Sequence, residues 1–223
     1  MTSPLVEEPP TPYAQHLHFS AGLEALVRAD PRLAEIIERA GPLPERLGKP
    51  GFEGLASVVV GQLVSRQSAD AIWTRLTAAT GPLTPESYLA VGRGAGPRLG
   101  LTAAKADTLV RVAEAMLVGS LDLEALCFME MEQALKRLIA IKGIGVWTAE
   151  VHLLFHAGHP DIFPAGDLAL RAAVQHAFRQ ETRPEADALR ALAGAWAPHR
   201  STAARLFWAY YAAAVRPASG VLP

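Results

Sequence analysis

The sequence predicts an all-α protein: apolar residues recur at helical spacing, helix start and stop signals punctuate the chain, and no segment reads as a strand. The β-branched run Val58 to Val60 comes nearest to one, yet it sits inside a longer stretch of helix formers. Asp30-Pro31 predicts an N-cap followed by proline in the first turn, and Gly41-Pro42 closes that helix about ten residues later. Phe52 to Thr80 is too long for one ordinary helix, so a break is expected between Gly61 and Ser68. Thr84-Pro85-Glu86 repeats the start signal. Gly92 to Gly100 is expected as a surface loop, and without GxGxxG spacing it is no phosphate cradle. Thr102 opens a helix that runs to Leu117, with Gly119 as its stop. Met131 to Ile141 and Val146 to His156 form the next pair, joined by Gly143-Ile144-Gly145. The last helices are expected over Leu168 to Arg179, Pro184 to Trp196 and Ser201 to Val215.

At 223 residues, 50% of them hydrophobic, the chain can build one large or two small domains around a substantial core. No run approaches the ~20 apolar residues of a membrane span. Residues 1–16 are acidic and proline-rich without the apolar centre of a signal peptide, so a flexible lead-in and a cytoplasmic location are expected. The single cysteine, Cys127, excludes an internal disulfide and a cysteine-ligated metal, and its neighbours Leu126 and Phe128 predict a buried apolar thiol. A net charge of −1 argues against a nonspecific nucleic-acid binder. Any such role needs uneven charge: Lys136, Arg137 and Lys142 cluster before the glycines, whereas Glu7, Glu8, Asp30, Glu35, Glu38 and Glu45 lie in the first fifth of the chain.

The chemistry concentrates between Leu138 and Asp167. Gly143 and Gly145 flank Ile144, so the backbone can take positive φ and approach a ligand while one apolar side chain anchors the turn. The free N–H groups and positive dipole end of the next helix suit a phosphate, and Thr148 is the best side-chain phosphate ligand nearby. A tight αα-turn that only packs two helices is the plainer alternative. Asp167 precedes Leu168-Ala169-Leu170, where it serves as an N-cap, a position that also aims a carboxylate outward. His152, His156 and His159 stand at near-helical spacing, but zinc would want a further ligand and a base, so exposed or capping histidines are expected.

The string Leu138-x-x-Ile141-x-Gly143-Ile144-Gly145-x-Trp147-Thr148-Ala149 resembles the helix-hairpin-helix motif of the DNA glycosylase superfamily, and Phe163-Pro164-Ala165-Gly166-Asp167 resembles the segment carrying its catalytic aspartate. Within that superfamily the likeness is to the 3-methyladenine DNA glycosylase II branch, over Leu17 to Val215. It implies two helical lobes with a central cleft. One lobe comprises residues 17–50 and 136–223 with the hairpin and Asp167, the other residues 51–135; the N-terminal β domain of fuller members is expected to be missing. It further implies a monomeric, monofunctional glycosylase, cytoplasmic and associated with the bacterial nucleoid. Such an enzyme flips alkylated bases, 3-methyladenine and 7-methylguanine among them, out of double-stranded DNA. It hydrolyses the N-glycosidic bond with Asp167 and so initiates base excision repair.

Strand-cleaving members carry a lysine two residues after the second hairpin glycine; Trp147 stands there, so the chemistry is expected to stop at base removal. Trp147 and Trp208 match aromatics of the base pocket, where indole faces attract a cationic alkylated purine, while Trp73 and Trp196 are expected in the core. Val151 replaces an aromatic of the bacterial type member and Gly166 its acidic neighbour, which predicts a roomier pocket. Gly61-Gln62-Leu63-Val64-Ser65 resembles the segment that wedges into the duplex, with Leu63 at the tip and Gln62 against the backbone or the orphaned base. A core position is the alternative for Leu63. Gly143, Gly145, Lys142 and Thr148 are the implied DNA-backbone contacts, and the main-chain carbonyls of Ile139, Ile141 and Ile144 match a Na⁺ or K⁺ site. One cysteine cannot hold the iron–sulfur cluster of other members, and no further cofactor is expected. A noncatalytic DNA-binding module and a glycosylase for deaminated or etheno bases remain the alternatives.

Overall fold

The computed structural model describes residues 19–43 and 47–215. The expected lead-in over residues 1–16 and the acidic residues Glu7, Glu8 and Glu45 lie outside the described residues. Among the described residues every regular element is helical.

One group of helices packs around α7 (Ala103–Leu117): α3 (Phe52–Gly61), α4 (Arg66–Thr80), α5 (Pro85–Val91) and the short α6 (Gly96–Leu99). Leu55, Val59, Leu76, Leu109 and Val112 form its interior. Local chemistry fixes the boundaries: the Ser65 hydroxyl accepts the Ser68 N–H at 3.1 Å, Thr84 and Ser87 close a reciprocal capping box, and Thr102 accepts the Lys105 N–H at 3.3 Å. The expected break between Gly61 and Ser68 narrows to residues 62–65, because Ser65 restarts the helix early. The Gly92 to Gly100 stretch is not a surface loop throughout. It forms a 3₁₀ turn (Arg93–Ala95) and then α6, and it buries Ala95 and Leu99.

The second group comprises α1 (Phe19–Ala29), α2 (Leu33–Ala40), α10 (Leu168–Ala177), α11 (Ala186–Ala193) and α12 (Arg200–Tyr210), which ends in a π-helical turn (Tyr211–Val215). Its core is aromatic: Trp196 packs on Phe163 and Phe207 at centroid distances of 5.3 and 5.1 Å. Asp30 keeps one bond of the predicted cap, accepting the Arg32 main-chain N–H at 3.2 Å, although the regular helix begins only at Leu33. The buried carboxylate also accepts two hydrogen bonds from the Arg32 guanidinium, both at 2.8 Å, and the Trp196 indole N–H at 3.3 Å. Arg32 holds this carboxyl below the usual carboxylate range. A charge paired this way beneath an indole is worth more than a cap in solvent.

Between the groups run α8 (Met131–Ile139) and α9 (Val146–Phe155), with α9 packed on both α8 and α3. Val151, His152, Leu153 and Leu154 of α9 are all buried, the signature of a helix enclosed on every side. Cys127 is buried as expected and burial pushes its thiol up to about 11, although its neighbour Phe128 is exposed. No helix among the described residues is long and apolar enough to cross a membrane.

The histidines depart from expectation, since none of the three is exposed. His156 and His159 face the carbonyls of Lys49 and Leu126 at 3.2 and 2.9 Å, and burial lowers both. His152 is fully buried with neither ring nitrogen hydrogen-bonded, its ring stacked on His156 at 5.3 Å. Burial first, then His156 and His159, push it down from 6.5 to about 3. Across that window the unfolded chain takes a proton that the native state refuses, so stability is lost as pH falls below 6.5. For His152 alone this amounts to about 2 kcal/mol at pH 5. Replacing His152 with Leu should therefore flatten the fall in urea midpoint between pH 7 and pH 5. An unchanged slope would show that His152 is not its source.

Candidate functional site

Asp167 is the N-cap of α10, and its Oδ1 accepts the Leu170 N–H at 2.9 Å. The cap is only part of its environment. The indole N–H of Trp208, from α12, reaches the same oxygen at 3.1 Å, and that of Trp147, from the first turn of α9, reaches Oδ2 at 2.9 Å. Both indoles thus point their polar edge at one carboxylate, an arrangement the sequence hints at only through the rule that a half-buried indole seeks an acceptor. No lysine, arginine or histidine among the described residues forms an ion pair with Asp167. A carboxylate offers about four acceptor positions. Leu170, Trp208 and Trp147 fill all but one, on Oδ2.

Phe155, which the sequence does not single out, backs Trp208 at a centroid distance of 5.2 Å. Trp196 lies in the core as predicted and Trp73 is half-buried. Gly166 is exposed beside Asp167, and a Cβ there would meet open space, whereas Val151 is buried one turn along α9 from Trp147. A concavity of about 570 Å³, lined by Arg32, Arg39, Phe178, Arg179 and Tyr210, belongs to the opposite end of α10 and does not include Asp167.

The hairpin is anchored as expected, with Ile144 buried and its N–H donated to the Ile141 carbonyl at 2.9 Å. Its glycines differ from the reading above. Gly143 has φ +104° and its α-carbon lies so near α7 that a Cβ would overlap the Thr108 hydroxyl; Gly145 is extended at φ −85° and serves as the N-cap of α9. On the side where a Cβ would stand, Gly143 thus approaches α7, while the residue stays exposed elsewhere. Lys142, Gly143, Gly145, Lys136 and Arg137 are exposed around the turn. Thr148 is not: its side chain is buried, and the hydroxyl accepts the Gln62 amide at 2.5 Å. The expected role of Thr148 as a phosphate ligand is withdrawn, because its oxygen faces inward. Ile139 ends α8, and Ile141 and Ile144 lie in the turn that follows, where the Ile141 carbonyl already accepts the Ile144 N–H at 2.9 Å.

Leu63 is 100% exposed, at φ +52°, on the tip of the break between α3 and α4. A core position is ruled out. Gln62 beside it reaches inward to Thr148, which ties this tip to the start of α9.

No protein-family model matches the chain. It is 34% identical over 104 residues to a protein of Bacillus subtilis named putative DNA-3-methyladenine glycosylase YfjP, a match covering 47% of this chain but only 36% of that relative. Two solved structures resemble it along most of both chains. One is the 3-methyladenine DNA glycosylase Mag1 of Schizosaccharomyces pombe in complex with abasic DNA, with a TM-score of 0.78 and 27% identity, covering 84% of this chain and 95% of that one. The other is a DNA-3-methyladenine glycosidase of Bacillus halodurans, with a TM-score of 0.74 and 30% identity over 87% and 89% of the respective chains.

The two hairpin glycines should separate on substitution. Gly143→Ala is expected to cost about 1–3 kcal/mol, from positive φ and the overlap with Thr108, whereas Gly145→Ala should cost well under about 1 kcal/mol. Urea unfolding of both variants checks this, and equal losses would mean that the backbone geometry is not what selects glycine at 143.

Proposed function

The chain belongs to the DNA-3-methyladenine glycosylase family, and on that footing we propose that it excises alkylated bases from double-stranded DNA by hydrolysing the bond between the sugar C1′ and the base. The observation that carries this reading is the Asp167 carboxylate, held by two indoles and a helix N-terminus, unpaired with any cation among the described residues and left with one open acceptor position. As the glycosidic bond breaks, the sugar gains positive charge and the cationic base leaves with the bonding pair as a neutral molecule. An uncompensated carboxylate beneath the sugar stabilises that charge. Its free lone pair on Oδ2 accepts a hydrogen bond from water, whose oxygen bonds to C1′ and whose proton passes to Asp167.

With their N–H edges turned to Asp167, Trp147 and the side of Trp208 away from Phe155 stack on the flipped base, which a cationic purine favours. Trp147 supplies no amine at the hairpin, so the product is an abasic site with the strand intact. Gly166, open beside Asp167, supports acceptance of bulkier or differently methylated bases. The first-turn N–H groups of α9, with exposed Lys142, Gly143 and Gly145, meet the DNA backbone, and Leu63 fills the gap left by the extruded nucleotide. The carbonyls of Ile139, Ile141 and Ile144 would hold an alkali cation, which supplies positive charge to a neighbouring phosphate.

Duplex oligonucleotides carrying one lesion each, scored for abasic sites, test the activity directly. Release of 3-methyladenine, 7-methylguanine, 1-methyladenine and 3-methylcytosine is expected, and refusal of the last two would remove the roomy pocket. Asp167→Asn should slow release by roughly 10²–10⁴-fold while the affinity for abasic-site DNA stays near wild type. Retained release would refute the role of Asp167, and no release by the wild-type protein would leave a DNA-binding module. Trp147→Phe and Trp208→Phe keep a ring face but lose the hydrogen bond to Asp167, so each should lower kcat by about tenfold with little change in KM. A rise in KM alone would mean that the N–H groups do not serve the chemical step.

A further inference from the structure

Leu63 occupies the position just past the C-cap of α3, where a left-handed residue is normally glycine. A leucine there costs roughly 1–2 kcal/mol in backbone strain and, fully exposed, gains no burial in return. Something must hold it. The ammonium of Lys105, from the first turn of α7, donates to the carbonyl of Val60 at 2.9 Å and to that of Gln62 at 2.7 Å. These carbonyls lie at the negative end of the α3 dipole, where a cation is favoured. Two of the three ammonium protons are thereby used on the loop, and the group is partly buried, so Lys105 is poorly placed to serve as a phosphate contact. Burial also holds its ammonium below the usual lysine range. From the other side the Gln62 amide reaches the Thr148 hydroxyl on α9, next to Trp147. The residue before the tip is therefore gripped by its carbonyl from α7 and by its side chain from α9.

We infer that Lys105 is a positioning residue for base extrusion: it locks the 60–63 segment, so that Leu63 stands presented before DNA arrives. The inference rests on the reading of Leu63 as the side chain that fills the vacated place in the duplex. Preorganisation of this kind acts on rate, because a loop already fixed does not have to be ordered as the base leaves the stack. Lys105 touches neither the lesion nor the water and acts only through Leu63.

The test compares Lys105→Met, Leu63→Ala and the double variant on two substrates, a lesion paired within a duplex and the same lesion in a one-nucleotide bulge. The bulge leaves no hole to fill. Lys105→Met should lower the excision rate on the paired lesion about tenfold or more and change the bulged one less than about twofold. Added to Leu63→Ala, it should cause no further loss. Equal losses on both substrates, or losses that multiply in the double variant, would overturn the inference. Lys105→Cys treated with bromoethylamine regenerates an ammonium of lysine length, while the buried Cys127 stays out of reach. Recovery of the paired-lesion rate supports the inference independently of how well Lys105→Met folds, and failure to recover counts against it. If Leu63→Ala alone matches wild type on the paired lesion, the insertion reading has failed and this inference falls with it. If wild type excises neither lesion, the fault lies earlier, in the assignment of base excision itself.

Discussion

Asp167 collects donors from three helices, and most of the second half of the chain is arranged so that it can. Trp147 arrives on α9, Leu170 on α10 and Trp208 on α12, so the carboxylate is the point where these elements are brought to register. Buried supports keep that register. Ser201, at the start of α12, donates to the His159 carbonyl at 2.7 Å and accepts the Ile162 N–H at 2.9 Å, which pins the loop before Asp167 to the helix that carries Trp208. Arg205, one turn further along, reaches the Leu154 carbonyl on α9 at 3.2 Å. These polar ties lie in dry surroundings, where each is costly to leave unmade.

The chain contains a second carboxylate beneath an indole, and the comparison separates scaffold from chemistry. Asp30 receives Trp196 as Asp167 receives Trp147 and Trp208, but Asp30 also takes a two-point ion pair from Arg32. Its charge is compensated, and it closes the gap between α1 and α2. Among the described residues Asp167 has dipolar donors only, so its negative charge is oriented without being neutralised. The difference lies in the partner. An indole N–H fixes a carboxylate in space and leaves its field available, whereas a guanidinium consumes it.

Much of this was readable from the chain. Helix identity followed from apolar spacing and from Ser, Thr, Pro and Gly at the ends, because caps act within one turn of sequence. Asp167, the hairpin and Trp147 were legible through the resemblance of GIGVWTA and FPAGD to the family's motifs, and Trp208 through the wider likeness. What escaped depends on residues far apart along the chain. Thr148 sits beside the hairpin in sequence but spends its hydroxyl on Gln62, and Gly143 owes its identity to Thr108 on α7 as much as to its turn. Asp30 carried every local mark of a cap, but its carboxylate also pairs with the Arg32 guanidinium and receives Trp196 from far along the chain. The exposure of Leu63 was an even choice from pattern alone, since an apolar residue in a break between helices is usually buried. Lys105 gave no signal at all, because its partners are main-chain oxygens.

The placement of the tryptophans has an optical consequence. Trp147 and Trp208 both touch the Asp167 carboxylate, while Trp196 is sealed in the core and Trp73 lies half-buried on α4. Half of the indoles in the protein therefore border the place where chemistry is proposed to occur. A nucleobase stacked against them would exchange excitation energy and electrons with those rings, while the other pair remains as an internal reference. The intrinsic emission of the unlabelled protein is thus weighted toward its cleft, so occupancy of the site can be followed in real time without attaching a dye.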